Sequence, residues 1–253
     1  MNAFAVAEVP ELRAGDDIAE IVAERTALED GDIICVASTI VSKVESRAFD
    51  LEAFPAGERA IEIAEQIAEL AGESKDPRFA QAVIEASSEI VMEAPFILAV
   101  TQFGHVAVNA GIDRSNTGGA ELLLLPEDPT ASAARIRDGL DADVGVVVTD
   151  TCGRPFRHGQ TGIALGWDGL PASRDWRGEL DRDGHELEVT VESVVDELAA
   201  TANLVTGEGD DGTPVVVIRD WEFGDHEASE TLFREHESDF VRQALEGWSY
   251  AGD

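Results

Sequence analysis

Several short segments of this chain carry side chains able to hold a divalent cation and a phosphate. In VVVTDTCGRP, residues 146–155, Asp150 and Thr151 stand where an apolar run gives way to a glycine turn, with Arg154 just beyond. Carboxylate and hydroxyl oxygens suit hard cations such as Mg2+ or Mn2+, and an arginine suits phosphate oxygens. The same residue types also satisfy backbone N–H groups in ordinary turns, and this segment alone leaves both readings open. HVAVNAGIDRSNTGG, residues 105–119, repeats the design as a strand followed by a loop with Asp113, Arg114, Ser115 and Asn116. If the two strands are neighbours, Asp113 and Asp150 converge on one metal and the Asn116 amide recognises a base or a phosphate; a polar turn is the alternative.

VASTIVSKVESR, residues 36–47, places Ser38, Thr39, Ser42 and Lys43 where strand hydrophobicity ends. The chain has only two lysines, and one set between apolar stretches suits a fixed point charge for phosphate oxygens; the alternative is a surface pair with Glu45. The other, Lys75 in GESKDPR, reads as a solvated surface lysine. TGEGDDGTP, residues 206–214, either wraps a nucleotide or is a mobile acidic loop. Other chemistries find no support. There is no GxxxxGK[ST] phosphate-binding pattern, and no HExxH spacing among His105, His158, His185, His226 and His236. There is no GxSxG elbow, and neither Cys35 nor Cys152 has a base beside it in sequence, so zinc and a covalent nucleophile are not indicated.

The elements that must position these residues follow from periodicity and punctuation. Residues 15–28 have helical spacing behind an acidic N-cap, and DGDIICVAST reads as a turn and a buried strand. Residues 56–71 and 76–88 read as helices, the second opened by Asp76-Pro77. EIVMEAPFILAVTQFGHVAVNAGI predicts two or three strands with a hairpin at Phe103-Gly104. LLLLPEDPTASAARIRDGL predicts a short strand, a proline-bounded turn and a helix, and DVGVVVTD a strand buried on both faces. Residues 185–205 predict a short strand and an amphipathic helix, and PVVVIRDW a last strand. The expected class is α+β, mixed sheets with flanking helices. The expected division is a catalytic domain over residues 1–221 and an acidic helical appendage over 222–253.

Composition bounds the rest. With 253 residues, 44% of them hydrophobic, the chain can bury a sizeable core, and no apolar run approaches the roughly 20 residues of a bilayer span. The first residues, MNAFAVAEVP, lack the basic start and apolar stretch of an export signal, which together with two cysteines points to a reducing cytoplasm. Fifty-two acidic against eighteen basic residues give a net charge of −34. Concentrated salt, with a Debye length of about 3 Å at 1 M, suppresses the self-repulsion, so adaptation to a salty cytoplasm is expected. Without a Lys/Arg cluster, neither nucleic acid nor an anionic membrane is an expected partner.

Taken together, VPELRAGDDI, STIVSKVESR, DPRFAQAVIEAS, VNAGIDRSN, LLPEDP, VVVTDTCGRPFRHGQ, DELAATANLVTGE and PVVVIRD, in this order, resemble the coenzyme F420-0:gamma-glutamyl ligase family over residues 8 to 220. The resemblance implies a family-specific ligase fold forming an intertwined homodimer. It implies a ligase that uses GTP to attach L-glutamate to the deazaflavin F420-0, and then further gamma-linked glutamate, through an acyl phosphate. It further implies two divalent cations, Mg2+ or Mn2+, and K+ as a monovalent ion. By position, Asp113 and Asp150 hold one metal, while Thr151 and Glu208 hold the second. The nucleotide would contact Val9, Pro10, Glu11, Leu12, Ser38, Thr39, Lys43 and Asn116. The glycine loop of Asn203, Leu204, Val205, Thr206, Gly207, Glu208, Gly209 and Asp210 would close over it. Lys43, Asp150 and Arg154 are the expected catalytic residues. Cys152 departs from the aromatic common at its position, and the EGDDG loop is more acidic than usual.

Overall fold

Caps and proline placement start the helices where the sequence suggests. The Asp17 carboxylate accepts the backbone N–H groups of Ala19 and Glu20, and that of Asp76 accepts Arg78 N, each satisfying donors a first turn leaves open. The computed structural model describes residues 1–72, 74–209 and 212–246. In chain order the first elements are β1 (Asn2–Ala5), α1 (Ile18–Arg25), β2 (Ile33–Ala37), α2 (Ser38–Val44), β3 (Ala48–Phe49), α3 (Glu58–Ala71) and α4 (Pro77–Glu85). Next come β4 (Ser87–Met92), β5 (Leu98–Thr101), β6 (Val106–Val108), β7 (Leu122–Leu123), α5 (Pro129–Asp138), β8 (Gly145–Gly153) and β9 (Gln160–Asp168). The last are β10 (Ser173–Asp175), β11 (Val191–Ser193), α6 (Val194–Thr206), β12 (Val215–Arg219), β13 (Glu227–Ser229) and α7 (Phe240–Glu246). The class is the α+β expected, with four sheets and seven α-helices among the described residues. None of these helices is long and apolar enough to cross a membrane.

The chain forms two compact units, the first made of Met1–Glu45 and Asp128–Leu232, the second of Ser46–Glu127 and Phe233–Asp253. In the first, the main sheet has the order β1-β12-β2-β8-β9, with β2 and β8 parallel and the other neighbours antiparallel. Its central strands are apolar without interruption because both faces are covered. Ile34, Val36, Val146, Val148 and Val217 pack with Ile18 and Val22 of α1 and Ile136 of α5. Ile33, Cys35, Val147, Val216 and Ile218 pack with Val194, Val195 and Leu198 of α6. A small sheet, β11-β10-β13, completes this unit.

The second unit packs α3 and α4 with the meander β4-β5-β6 over Ile63, Ile67, Phe79, Val83 and Ile97. The hairpin expected at Phe103-Gly104 joins β5 to β6. Of the C-terminal stretch expected to be helical, Glu227–Ser229 is a strand paired with β10, and among the described residues helical structure comprises a 3-10 turn at His236–Ser238 and α7 at Phe240–Glu246. Backbone pairing with Ser173–Asp175 outweighs the weak helical spacing there.

Two elements differ from the sequence expectation where it matters for the site. β8 does not end at Asp150 but runs on to Gly153, because Asp150–Gly153 pair with Gln160–Ile163 of β9, a strand that the sequence pattern does not announce. The segment after β2 is helical at once, with Ser38 the first residue of α2.

Candidate functional site

The last register pair between β2 and β8 is Ala37 with Thr149. One residue further on, Ser38 opens α2 and Asp150 continues β8, so the two side chains meet. Ser38 Oγ donates to Asp150 Oδ1 at 3.3 Å. Ser38 is buried and Asp150 half-buried. This is the carboxyl end of a parallel strand pair, the place where open α/β sheets collect ligands.

Because Asp150 and Thr151 lie inside a strand, their side chains point to opposite faces. Asp150 pairs with Ile163 and Thr151 with Gly162. A Cβ on Gly162 would lie 2.3 Å from Ala199 O and 2.9 Å from Asn203 Cβ, so this glycine lets α6 rest directly on β9. Directly paired residues share a face, which puts the Thr151 hydroxyl on the side covered by α6 and the Asp150 carboxylate on the α2 side with Ser38. Gly166 makes the matching close approach on the other face, against Pro129 and Thr130 at the start of α5. Between these glycines a register shift faces Val148 and Thr149, and Asp196 of α6 accepts from Ala164 N at 2.9 Å.

The end of α6 carries the glycine loop. Gly207 takes φ of 67° and donates its N–H to Asn203 O, while Asn203 Nδ2 donates to Glu208 Oε1 at 2.9 Å. Thr213 Oγ1 donates to Thr206 O at 3.1 Å and ties the far end of the loop to the helix. Glu208 is therefore presented by the element that covers the Thr151 face. Val205 packs on the α6-side core, Leu204 is exposed, Gly209 is exposed, and Asp210 lies outside the described residues.

Two other expected contributors also meet in this unit. Lys43 Nζ sits 2.6 Å from Glu11 Oε1, so the lysine and the VPEL segment come together, and Glu11 rather than Glu45 is its carboxylate. Glu45 is taken by Arg135 and Ser132. Leu12 is buried in the α1-side core and Val9 packs on it, leaving Pro10 and Glu11 exposed. Thr39 is half-buried in the first turn of α2. Arg154 is exposed in the β8–β9 turn, 3.4 Å from Gly159 O. Burial, and then the Asp150 charge, push the Cys152 thiol up.

Asp113 and Asn116 belong to the second unit. Asp113 is exposed, and its backbone N–H and C=O both bond to Leu123 at 2.9 Å. Asn116 is exposed, with φ of 52°. Just upstream, Asn109, Ala110 and Gly111 take φ of 54°, 53° and 69° in succession. A non-glycine residue held left-handed costs about 1–3 kcal/mol and persists only where its surroundings fix it. Ala110 is buried in the core, and Lys75 Nζ holds Asn109 Oδ1 at 2.8 Å. Lys75 is thus half-buried and engaged, not the solvated lysine expected. The sequence signal for it was the scarcity of lysine; its partner, 34 residues away, was not visible.

Among the described residues no three His, Cys, Asp or Glu side chains form a ready-made metal cage. The donors at hand in the first unit, Asp150, Thr151 and Glu208, are all oxygens. Such a sparse set fits Mg2+ or Mn2+, which keep several waters and take one or two carboxylates together with substrate phosphates.

Comparison with known proteins gives one consistent result. The family model described as F420-0:Gamma-glutamyl ligase matches residues 7–220. The chain is 70% identical over 252 residues to a coenzyme F420:L-glutamate ligase of Halobacterium salinarum, covering 100% of both. It is 66% identical over 250 residues to that of Halorubrum lacusprofundi, covering 99% of each. It is 45% identical over 249 residues to that of Archaeoglobus fulgidus, covering 97% of this chain and 98% of the relative. Similarity to the first of these runs through the acidic C-terminal stretch, past the end of the family match.

Proposed function

The chain belongs to the F420-0:gamma-glutamyl ligase family, and from that premise we propose that it joins L-glutamate to the deazaflavin F420-0 with GTP as the activating co-substrate. The observation that carries the reading is the Ser38–Asp150 contact at the carboxyl end of the β2/β8 pair. Around it, Thr151 lies under α6, whose following loop carries Glu208, and Lys43 lies against the VPEL segment.

In the first step a carboxylate oxygen of the deazaflavin side chain attacks the γ-phosphorus. The bond to the bridging oxygen breaks, GDP leaves, and an acyl phosphate forms. In the second, the glutamate amine attacks the acyl carbon, the carbon–oxygen bond to phosphate breaks, and the nitrogen loses a proton to give the amide. Repeating the cycle on the added glutamate gives a gamma-linked chain. Phosphoryl transfer asks the protein mainly to position and to neutralise charge.

Asp150 and Thr151, with Glu208 and, in the second unit, Asp113, would hold two divalent cations, Mg2+ or Mn2+, whose role is to neutralise the triphosphate. Lys43 and Arg154 hold phosphate oxygens, so Glu11 acts as the lysine's place-holder before nucleotide arrives. Val9–Leu12, Ser38, Thr39, Asn116 and the 203–210 loop hold the remainder of the nucleotide. K+ serves as the monovalent ion, the working state is a homodimer, and the setting is a salt-rich cytoplasm, in keeping with the −34 charge.

Mass spectrometry after incubation with F420-0, glutamate, GTP and Mg2+ in molar KCl tests the reading. The expected product is heavier by one or more glutamyl units, with one GDP per unit. GDP and phosphate appearing without any glutamylated deazaflavin would make the protein a phosphohydrolase instead.

A further inference from the structure

The turn that joins β8 to β9 is built from Arg154, Pro155, Phe156, Arg157, His158 and Gly159, and every residue from Gly153 to Gln160 is exposed. Phe156 is 106% exposed, so its ring packs against nothing in this chain. Its φ of 66° follows Pro155, which puts it at the turn position where glycine is the usual residue. A bulky residue held left-handed is strained, and strain of this kind gathers at ligand clamps. Neither burial of the ring nor the preference of the backbone accounts for a phenylalanine there.

The charge of the tip also runs against the rest of the chain. About one residue in five is acidic, yet residues 151–167 hold no Asp or Glu. An acid-free run is ordinary in a core strand, but this one crosses the surface and carries Arg154 and Arg157 on either side of Pro155-Phe156. Arg154 donates to Gly159 O across the turn, and among the described residues neither arginine forms an ion pair. An aromatic ring with open faces, flanked by guanidinium groups, suits a planar anionic molecule: the ring stacks on it while the arginines take its carboxylate or phosphate oxygens.

The tip continues the strand that bears Asp150 and Thr151. In the ligase reading that strand receives the terminal phosphate of the nucleotide, whose remainder is assigned to other segments. The molecule next along the hairpin is then the one that accepts the phosphate. We infer that the β8–β9 tip binds this acceptor, with Phe156 stacked on the deazaflavin ring and Arg157 holding one of its anionic groups. The inference rests on the ligase reading for the identity of the acceptor.

The test is equilibrium binding of F420-0 to the full chain in molar KCl, together with steady-state kinetics varying F420-0 and GTP in turn. Loss of a stacked ring weakens binding about tenfold. Phe156→Ala is therefore expected to raise both the Kd and the KM for F420-0 about tenfold, with the KM for GTP within about twofold, and Phe156→Tyr to recover most of the loss. Arg157→Gln gives a smaller rise that shrinks as KCl increases, because exposed charges are screened. Phe156→Gly frees the left-handed backbone and should melt no lower than the wild type while losing the same affinity, which separates the ring's role from the fold's. An unchanged Kd and KM for F420-0 in Phe156→Ala, whether or not the oligomeric mass changes, would overturn the inference, as would a rise confined to the KM for GTP. Binding is read without turnover. A wild type that binds F420-0 through Phe156 yet forms no glutamylated product would overturn the ligase reading and leave the site standing.

Discussion

Asp150 and Asp113 each follow an apolar strand, yet the protein holds them by different means. Asp150 is inside β8, with its backbone register set by β9 and its carboxylate met by a buried serine. Asp113 is exposed on a loop, anchored by one backbone bridge to Leu123 and preceded by three successive left-handed residues. A carboxylate set by a sheet cannot move without breaking the ladder, whereas one carried by a strained loop can be re-aimed by a few torsions. On the function proposed above, Asp150 is the fixed half of this contrast, the one assigned to metal and phosphate, and Asp113 is the adjustable half.

Removing the charge at the fixed half should have the largest effect. Asp150→Asn keeps the Ser38 contact sterically but loses the anion, and turnover is expected to fall about a thousandfold or more with an unchanged circular dichroism spectrum. Near wild-type activity would break the contrast outright. Gly162→Ala comes next, since its methyl meets Ala199 O at 2.3 Å and must lift α6 from β9. A loss of about 3 kcal/mol in denaturant-measured stability is expected, with Thr151 and Glu208 drawn apart and Asp150 left in place.

Ser38→Ala removes one hydrogen bond to Asp150 and should cost about 1 kcal/mol, read as a modest rise in the Mg2+ concentration giving half-maximal rate. The smallest effect concerns how firmly α6 is seated. The Arg174 guanidinium holds the Glu192 carboxyl, just ahead of α6, down to about 2. Its stabilising contribution is complete above the unfolded carboxylate range near 4.5 and is lost as the pH falls from there toward 2. Glu197, pushed up by burial and by Glu192, works in the opposite sense and shallows the profile. Thermal melts between pH 5 and 2.5 should fall less steeply for Glu192→Gln than for the wild type.

Much of this was legible in the sequence, for reasons that can be named. α1 and α4 were marked by Asp17 and by Asp76-Pro77, and β2, β8 and β12 by apolar runs that only two-sided burial explains. β9 was not legible, because Gly162 and Gly166, the residues that admit α6 and α5, are the ones that disguise QTGIALGWD as a loop. Without β9, β8 reads as ending at Asp150, and the opposite orientations of Asp150 and Thr151 are lost. The types of the proposed site residues could be read from the sequence, but their faces could not. Lys75 was misread because the residue that engages it, Asn109, lies far along the chain in a turn no local pattern predicts.

The most direct measurement is Mn2+ binding by electron paramagnetic resonance in the presence of GTP, on the wild type and on Asp150→Asn in molar KCl. Two bound Mn2+ per chain in the wild type, with at least one lost in Asp150→Asn, is the result the fixed half at the end of β8 predicts. The same number bound with the same affinity in both proteins would contradict it.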